Sequence, residues 1–115
     1  MIAAIPYDNT NQVHFGIDAI AIDEWQNDKE IKRTVNRHII SCLKECDMPG
    51  SMLEDELARY DYYLVSWELY EKINEVVETC TPSSAKIAME INNLVSKLYQ
   101  SLDIRTSELS RTKYN

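Results

Sequence analysis

The sequence predicts an all-α protein: three main helices, the last two a long antiparallel hairpin, behind an irregular N-terminal arm. Three observations lead there. Two glycines and three prolines in 115 residues are few for a chain built of β-hairpins. Apolar residues recur at helical spacing in three separate segments. The longest of these, residues 53–77, contains no glycine or proline to interrupt it. Within it Leu53, Leu57, Tyr60, Leu64 and Trp67 alternate at fours and threes, and Tyr63, Tyr70 and Val77 run beside them at sevens. On a helix these rows merge into one stripe along a rod of roughly 40 Å, at ~1.5 Å per residue.

Residues 1–22 read as an arm. Pro6, the turn-forming run Asp8-Asn9-Thr10-Asn11 and Gly16 break any long element, and Val13-His14-Phe15 is only a candidate short strand. Ile17, Ile20 and Ile22 are expected to dock on the helices. A helical domain, residues 23–102, follows. Its first helix, residues 24–46, starts at Asp23 or Asp28 as a cap and ends before Pro49-Gly50. Ile31, Val35, Ile39, Cys42, Leu43 and Cys46 share one face. Ser51 with Glu54 makes a capping box for the second helix, residues 52–79. Thr81-Pro82-Ser83-Ser84 breaks the chain and restarts it as a third helix over 83–102, with Ile87, Ile91, Leu94, Val95, Leu98 and Leu102 on one side. Residues 103–115 form a polar tail, in which Ser107 caps at most one turn holding Leu109.

A chain of this length forms one domain with a modest core, near the size where association adds stability. The stripe on 53–77 exceeds what one such core covers. Tyr60, Tyr63, Trp67 and Tyr70 are therefore the expected oligomer interface, in a homo-oligomer.

Charge is unevenly placed. The whole chain stands at −7, which argues against a general nucleic-acid coat. Residues 1–28 hold five carboxylates and no Lys or Arg. Residues 29–46 hold Lys29, Lys32, Arg33, Arg37 and Lys44 against Glu30 and Glu45. Residues 47–78 are strongly acidic again. Lys29, Arg33 and Arg37 recur one turn apart, with Lys32 beside them, on the side of the first helix away from its apolar face. Such a row is either a solvated surface, one paired with the acidic second helix, or a phosphate-contacting face that positions DNA without reading its sequence.

Little in the chain suggests chemistry. His14 and His38 have no Cys, His or Glu at zinc-like spacing. Cys42 and Cys46 lie one turn apart on the apolar face, where they read as small buried hydrophobes. Glycine-rich phosphate loops, nucleophile elbows and Glu-x-x-His pairs are lacking, so neither an enzyme, a metal nor a cofactor is expected. The aromatic stripe reads as core more than as a base-stacking platform. Three cysteines without a signal peptide suit free thiols in a reducing cytosol. No apolar run approaches the ~20 residues of a membrane helix.

Several short motifs, taken in order, form a family pattern. Asp23-Glu24-Trp25 precedes the first helix. Asp55-Glu56-Leu57-Ala58-Arg59-Tyr60 leads to a central Trp67-Glu68-Leu69-Tyr70. A Pro-Ser segment opens Lys86-Ile87-Ala88-Met89-Glu90, and Lys97 to Ile104 runs into a tail with Ser107, Ser110 and Arg111. This order resembles the small subunits of tailed-phage terminases, the compact class without an obvious helix-turn-helix, over roughly residues 23–111. One departure is the closing segment, usually Gly-Leu-Thr-Pro-Ser, which here is Asp103-Ile104-Arg105-Thr106-Ser107.

The resemblance implies a non-catalytic packaging-initiation factor in the host-cell cytoplasm. Such subunits assemble into oligomers, often rings, bind double-stranded viral DNA and pass it to the large terminase subunit. The DNA contacts then expected are Lys29, Lys32, Arg33 and Arg37 with Arg105, Arg111 and Lys113 of the tail. The competing expectation is a helical regulatory or interaction module with no nucleic-acid role. A small helical enzyme of chorismate-mutase type would need basic residues inside a pocket, whereas these lie opposite the apolar face.

Overall fold

Residues 60–66, Tyr-Asp-Tyr-Tyr-Leu-Val-Ser, are aromatic and β-branched, which suits a pleated strand better than a helix. In the computed structural model, which describes residues 1–13 and 18–105, they are one. The elements run β1 (Ile2–Asp8), β2 (Ile20–Ile22), α1 (Asp28–Glu45), α2 (Gly50–Leu57), β3 (Tyr60–Ser66), α3 (Trp67–Thr79) and α4 (Ala85–Leu102). The fold is mixed α and β, so the all-α expectation is corrected. The single rod expected over 52–79 is three elements, and the antiparallel hairpin it would have formed is absent from the described residues. The arm is no irregular arm either: it supplies β1 and β2.

A strand covered on both faces explains the misreading. Tyr60, Tyr62 and Leu64 join one core, while Tyr63 and Val65 join the other. Such a strand reads as a continuous apolar run, and a run satisfies helical spacing as readily as extended spacing. Ser66 ends it, its hydroxyl accepting the Leu69 N–H at 3.2 Å to cap α3.

The sheet order is β2-β1-β3, antiparallel throughout, with β1 in the centre. Ala4 pairs with Leu64 and Pro6 with Tyr62. The Leu64 N–H and the Tyr62 carbonyl are both bonded to groups beyond the outer edge of β3. Their partners on β1 must then turn their backbone groups toward β2. β2 pairs only with Ile2–Ala4, so Pro6 lies past its end and its missing N–H breaks no ladder bond. That is how a proline sits in the central strand.

Two cores flank the sheet. On one side Ile31, Val35, Ile39 and Leu43 of α1, spaced at fours, pack with Ala4, Ile20, Ile22, Tyr60, Tyr62 and Leu64. Ile20 and Ile22 do dock on a helix as expected, but from within a strand. On the other side Val95 and Tyr99 of α4 pack with Ala3, Ile5, Val13, Tyr63 and Val65, and Trp67, Tyr70, Ile73 and Val77 of α3 border them. Tyr7 and Tyr63 stack there with centroids 4.1 Å apart.

α1 and α4 fall within a few residues of the helices the sequence predicts. The cap of α1 is Asn27 rather than Asp23 or Asp28, its side chain accepting the Glu30 N–H at 2.9 Å. Ser51 lies inside α2, whose N-cap Pro49 makes no side-chain bond. Ser84 caps α4 through the Ile87 N–H at 3.3 Å. Ser84→Ala is expected to lower stability by about 1 kcal/mol in a urea melt, and Ser84→Gly by only a few tenths.

Candidate nucleic-acid interface

The exposed face of α1 is where the basic row stands. Ile31, Val35 and Ile39 fix the rotation of the helix by entering the core, which leaves Lys29, Lys32, Arg33 and Arg37 exposed. Among the described residues no carboxylate lies within ion-pair distance of any of the four. The acidic segment after residue 47 thus does not neutralise them. Lys29, Lys32 and Arg33 line an open depression with Asp28, Asn36 and Tyr62. The Lys32 ammonium lies 5.9 Å from the centroid of the Tyr62 ring. Burial is the first cause raising the Tyr62 pKa; Arg105 opposes it, so the ring stays neutral at ordinary pH.

Arg105 stands on the same ring, its guanidinium carbon 4.4 Å from the centroid. It is committed within the chain. One guanidinium nitrogen donates to the Tyr62 carbonyl, another lies 3.7 Å from Asp61 Oδ1, and Nε lies 3.5 Å from Asp103 Oδ1. Burial disfavours its charge, but Asp103 and then Asp61 outweigh that and raise its pKa. Asp103, 6% exposed, also accepts the Leu64 N–H at 3.1 Å. Asp103 and Arg105 therefore close the outer edge of β3, which would otherwise present unpaired backbone groups. Arg105 shares the Tyr62 ring with the basic depression but does not line it, and serves the sheet. Arg111 and Lys113 lie outside the described residues.

The expected oligomer residues divide. Tyr60 and Tyr63 are buried in the two cores of their own chain, so their rings are not free for a second subunit. Trp67 and Tyr70 are half-buried and meet at 5.1 Å, tilted by 52°. Trp67 Nε1 donates to Glu71. Instead, the exposed large apolar side chains include Leu69 and Val76 on α3 and Ile87, Met89, Leu94 and Leu98 on α4.

A second polar set escaped the sequence reading. Ser96 is buried, accepts the Val13 N–H at 2.9 Å and donates to Asn92 Oδ1 at 3.0 Å. Asn92 Nδ2 in turn donates to the Val13 carbonyl at 3.0 Å. Polar residues at i and i+4 beside an apolar stripe are the signal that a helix receives backbone from elsewhere. Here they hold the end of the β1 loop on α4.

Of the cysteines, Cys42 packs against the first core and burial raises its pKa, whereas Cys46 and Cys80 are exposed. The expected burial of Cys46 is corrected. Among the described residues no three His, Cys, Asp or Glu side chains gather as a metal site, and no helix is long and apolar enough to cross a membrane. No family model, curated protein or solved structure matches the chain.

Proposed function

We propose that this protein binds double-stranded DNA through its phosphate backbone, as a non-enzymatic factor in the role of a terminase small subunit. In that role it assembles on viral DNA in the host cytoplasm and presents it to the large subunit. The observation supporting DNA binding is the row Lys29, Lys32, Arg33 and Arg37: four exposed cations on one helix, with no carboxylate partner among the described residues, in a chain of net charge −7. A row concentrated against the average charge is a local field, and phosphate is the polyanion that such spacing meets on duplex DNA. The packaging role itself rests only on the order of motifs along the chain. One of those motifs, Asp55 to Tyr60, spans the end of α2 and the start of β3 rather than a single helix.

A salt titration of duplex binding tests the first step. Replacing Lys29, Arg33 and Arg37 by Ala is expected to shallow the dependence of log K on log salt by roughly 2.7, about 0.9 for each phosphate no longer neutralised. These side chains are exposed, so the melting point should hold. Equal slopes for wild type and variant would return the row to an ordinary solvated surface.

A second reading is a protein-interaction module without nucleic acid. The exposed apolar side chains of α3 and α4 favour it. It expects no salt-dependent binding to DNA at all.

A further inference from the structure

We propose that the outer face of α4 is a self-association surface, covered by α4 of a second copy lying antiparallel to it. α4 has two apolar sides. Val95, Tyr99 and Leu102 turn into the chain's own core. Ile87, Leu94 and Leu98 turn out, exposed by 40%, 68% and 43%, and half-buried Ile91 lies between the two sides. A helix satisfied by its own sheet has no use for the second stripe.

The spacing selects the occupant. Positions 87, 91, 94 and 98 step by four, three and four, so the stripe reads the same in both directions about a point between Asn92 and Asn93. A two-fold axis there lays Ile87 on Leu98 of the partner subunit, and Ile91 on Leu94 of the partner subunit. That is the knobs-into-holes layering of an antiparallel helix pair. The charges agree. Glu90 and Lys97, both exposed, border the stripe on one side, seven residues apart. In the two-fold arrangement each meets its opposite on the other copy, about 3 Å apart along the axis at ~1.5 Å per residue. A parallel pairing in register would put this charged edge on opposite flanks of the two copies, where Glu90 and Lys97 meet no opposite charge across the seam. The antiparallel copy is thus the one that charge favours. This proposal does not depend on the α1 face or on DNA.

The test is sedimentation equilibrium of the full chain without DNA, across a wide concentration range. Wild type is expected to dimerise, and Leu94→Lys to remain monomeric while keeping the far-ultraviolet ellipticity of wild type, because Leu94 lies outside the core. The two melting points should agree only at dilutions where wild type is itself monomeric. Glu90→Lys and Lys97→Glu should each weaken dimerisation by roughly fivefold or more, since each sets two like charges together. Mixed one to one, the two variants should associate more tightly than either alone, because both cross-pairs are then opposite in charge. A wild-type monomer at every concentration overturns the proposal, as does a dimer indifferent to Leu94→Lys. Absence of preferential mixing overturns the antiparallel arrangement and the proposal with it.

Discussion

Asp103→Ala is expected to destabilise the protein by about 2–4 kcal/mol in urea unfolding, far more than its position near the end of a helix suggests. The carboxylate does two things at once. Its Oδ1 accepts the Leu64 N–H at 3.1 Å and the Arg105 N–H at 3.2 Å, and it stands 3.5 Å from Arg105 Nε. Removing it strands a buried amide on β3 and leaves the guanidinium with only exposed Asp61 as a counter-charge. Both penalties arise from groups left without partners, which is why the loss exceeds the net worth of either bond. Asp103→Asn retains an acceptor for Leu64 but no charge, and should lose about 1–2 kcal/mol. An alanine variant within about 0.5 kcal/mol of wild type would show that water serves the edge equally well.

That clasp also marks where sequence reasoning stops. α1 and α4 are legible because each packs a stripe against one core and begins at a side-chain cap, signals confined to a dozen neighbouring residues. β3 is not. With Tyr60, Tyr62 and Leu64 on one side and Tyr63 and Val65 on the other, no polar alternation marks it as extended, and its aromatics fall at helical spacing by coincidence. β1 has the short run Ile2-Ala-Ala-Ile and then Pro6; β2 pairs with only three of its residues, and β3, which pairs with its whole length, begins more than fifty residues later. Pairing across such a distance leaves no local trace. The candidate site divides in the same way. The α1 row is readable because a helix face depends on spacing alone. The commitment of Arg105 to Tyr62, Asp61 and Asp103 cannot be read without β3, since three of these four contacts are to that strand and the fourth is to the Asp103 that closes its edge. A helical reading sends Tyr60 and Tyr63 to a subunit interface for the same reason: on a helix they would be surplus, and on a two-faced strand they are core.

At high pH the double-faced strand becomes a weakness. Tyr7, Tyr60, Tyr62, Tyr63, Tyr70 and Tyr99 all have raised pKa values, and in each burial is the first cause. Tyr7 is pushed up to about 12, with Asp61 adding to burial, and Tyr99 is raised further. In the unfolded chain these phenols ionise near pH 10. Above that value the folded protein holds more protons than the unfolded one, so stability falls as pH rises. Below pH 10 the contribution is fully present. Between pH 10 and about 12 Tyr7 withdraws stability by at most ~1.4 kcal/mol for every pH unit, less because it is partly exposed, and the other raised phenols act in the same direction. Because the rings lie in both cores, ionisation and unfolding should occur together. Tyrosinate absorbance and loss of far-ultraviolet ellipticity are expected to follow one steep, coincident transition in that interval. Tyr99→Phe keeps the ring and removes the ionisable group, so the midpoint of that transition should move upward. Tyrosines titrating near pH 10 with the ellipticity unchanged would mean that the rings are open to water, and that segment 60–66 is not the covered strand described.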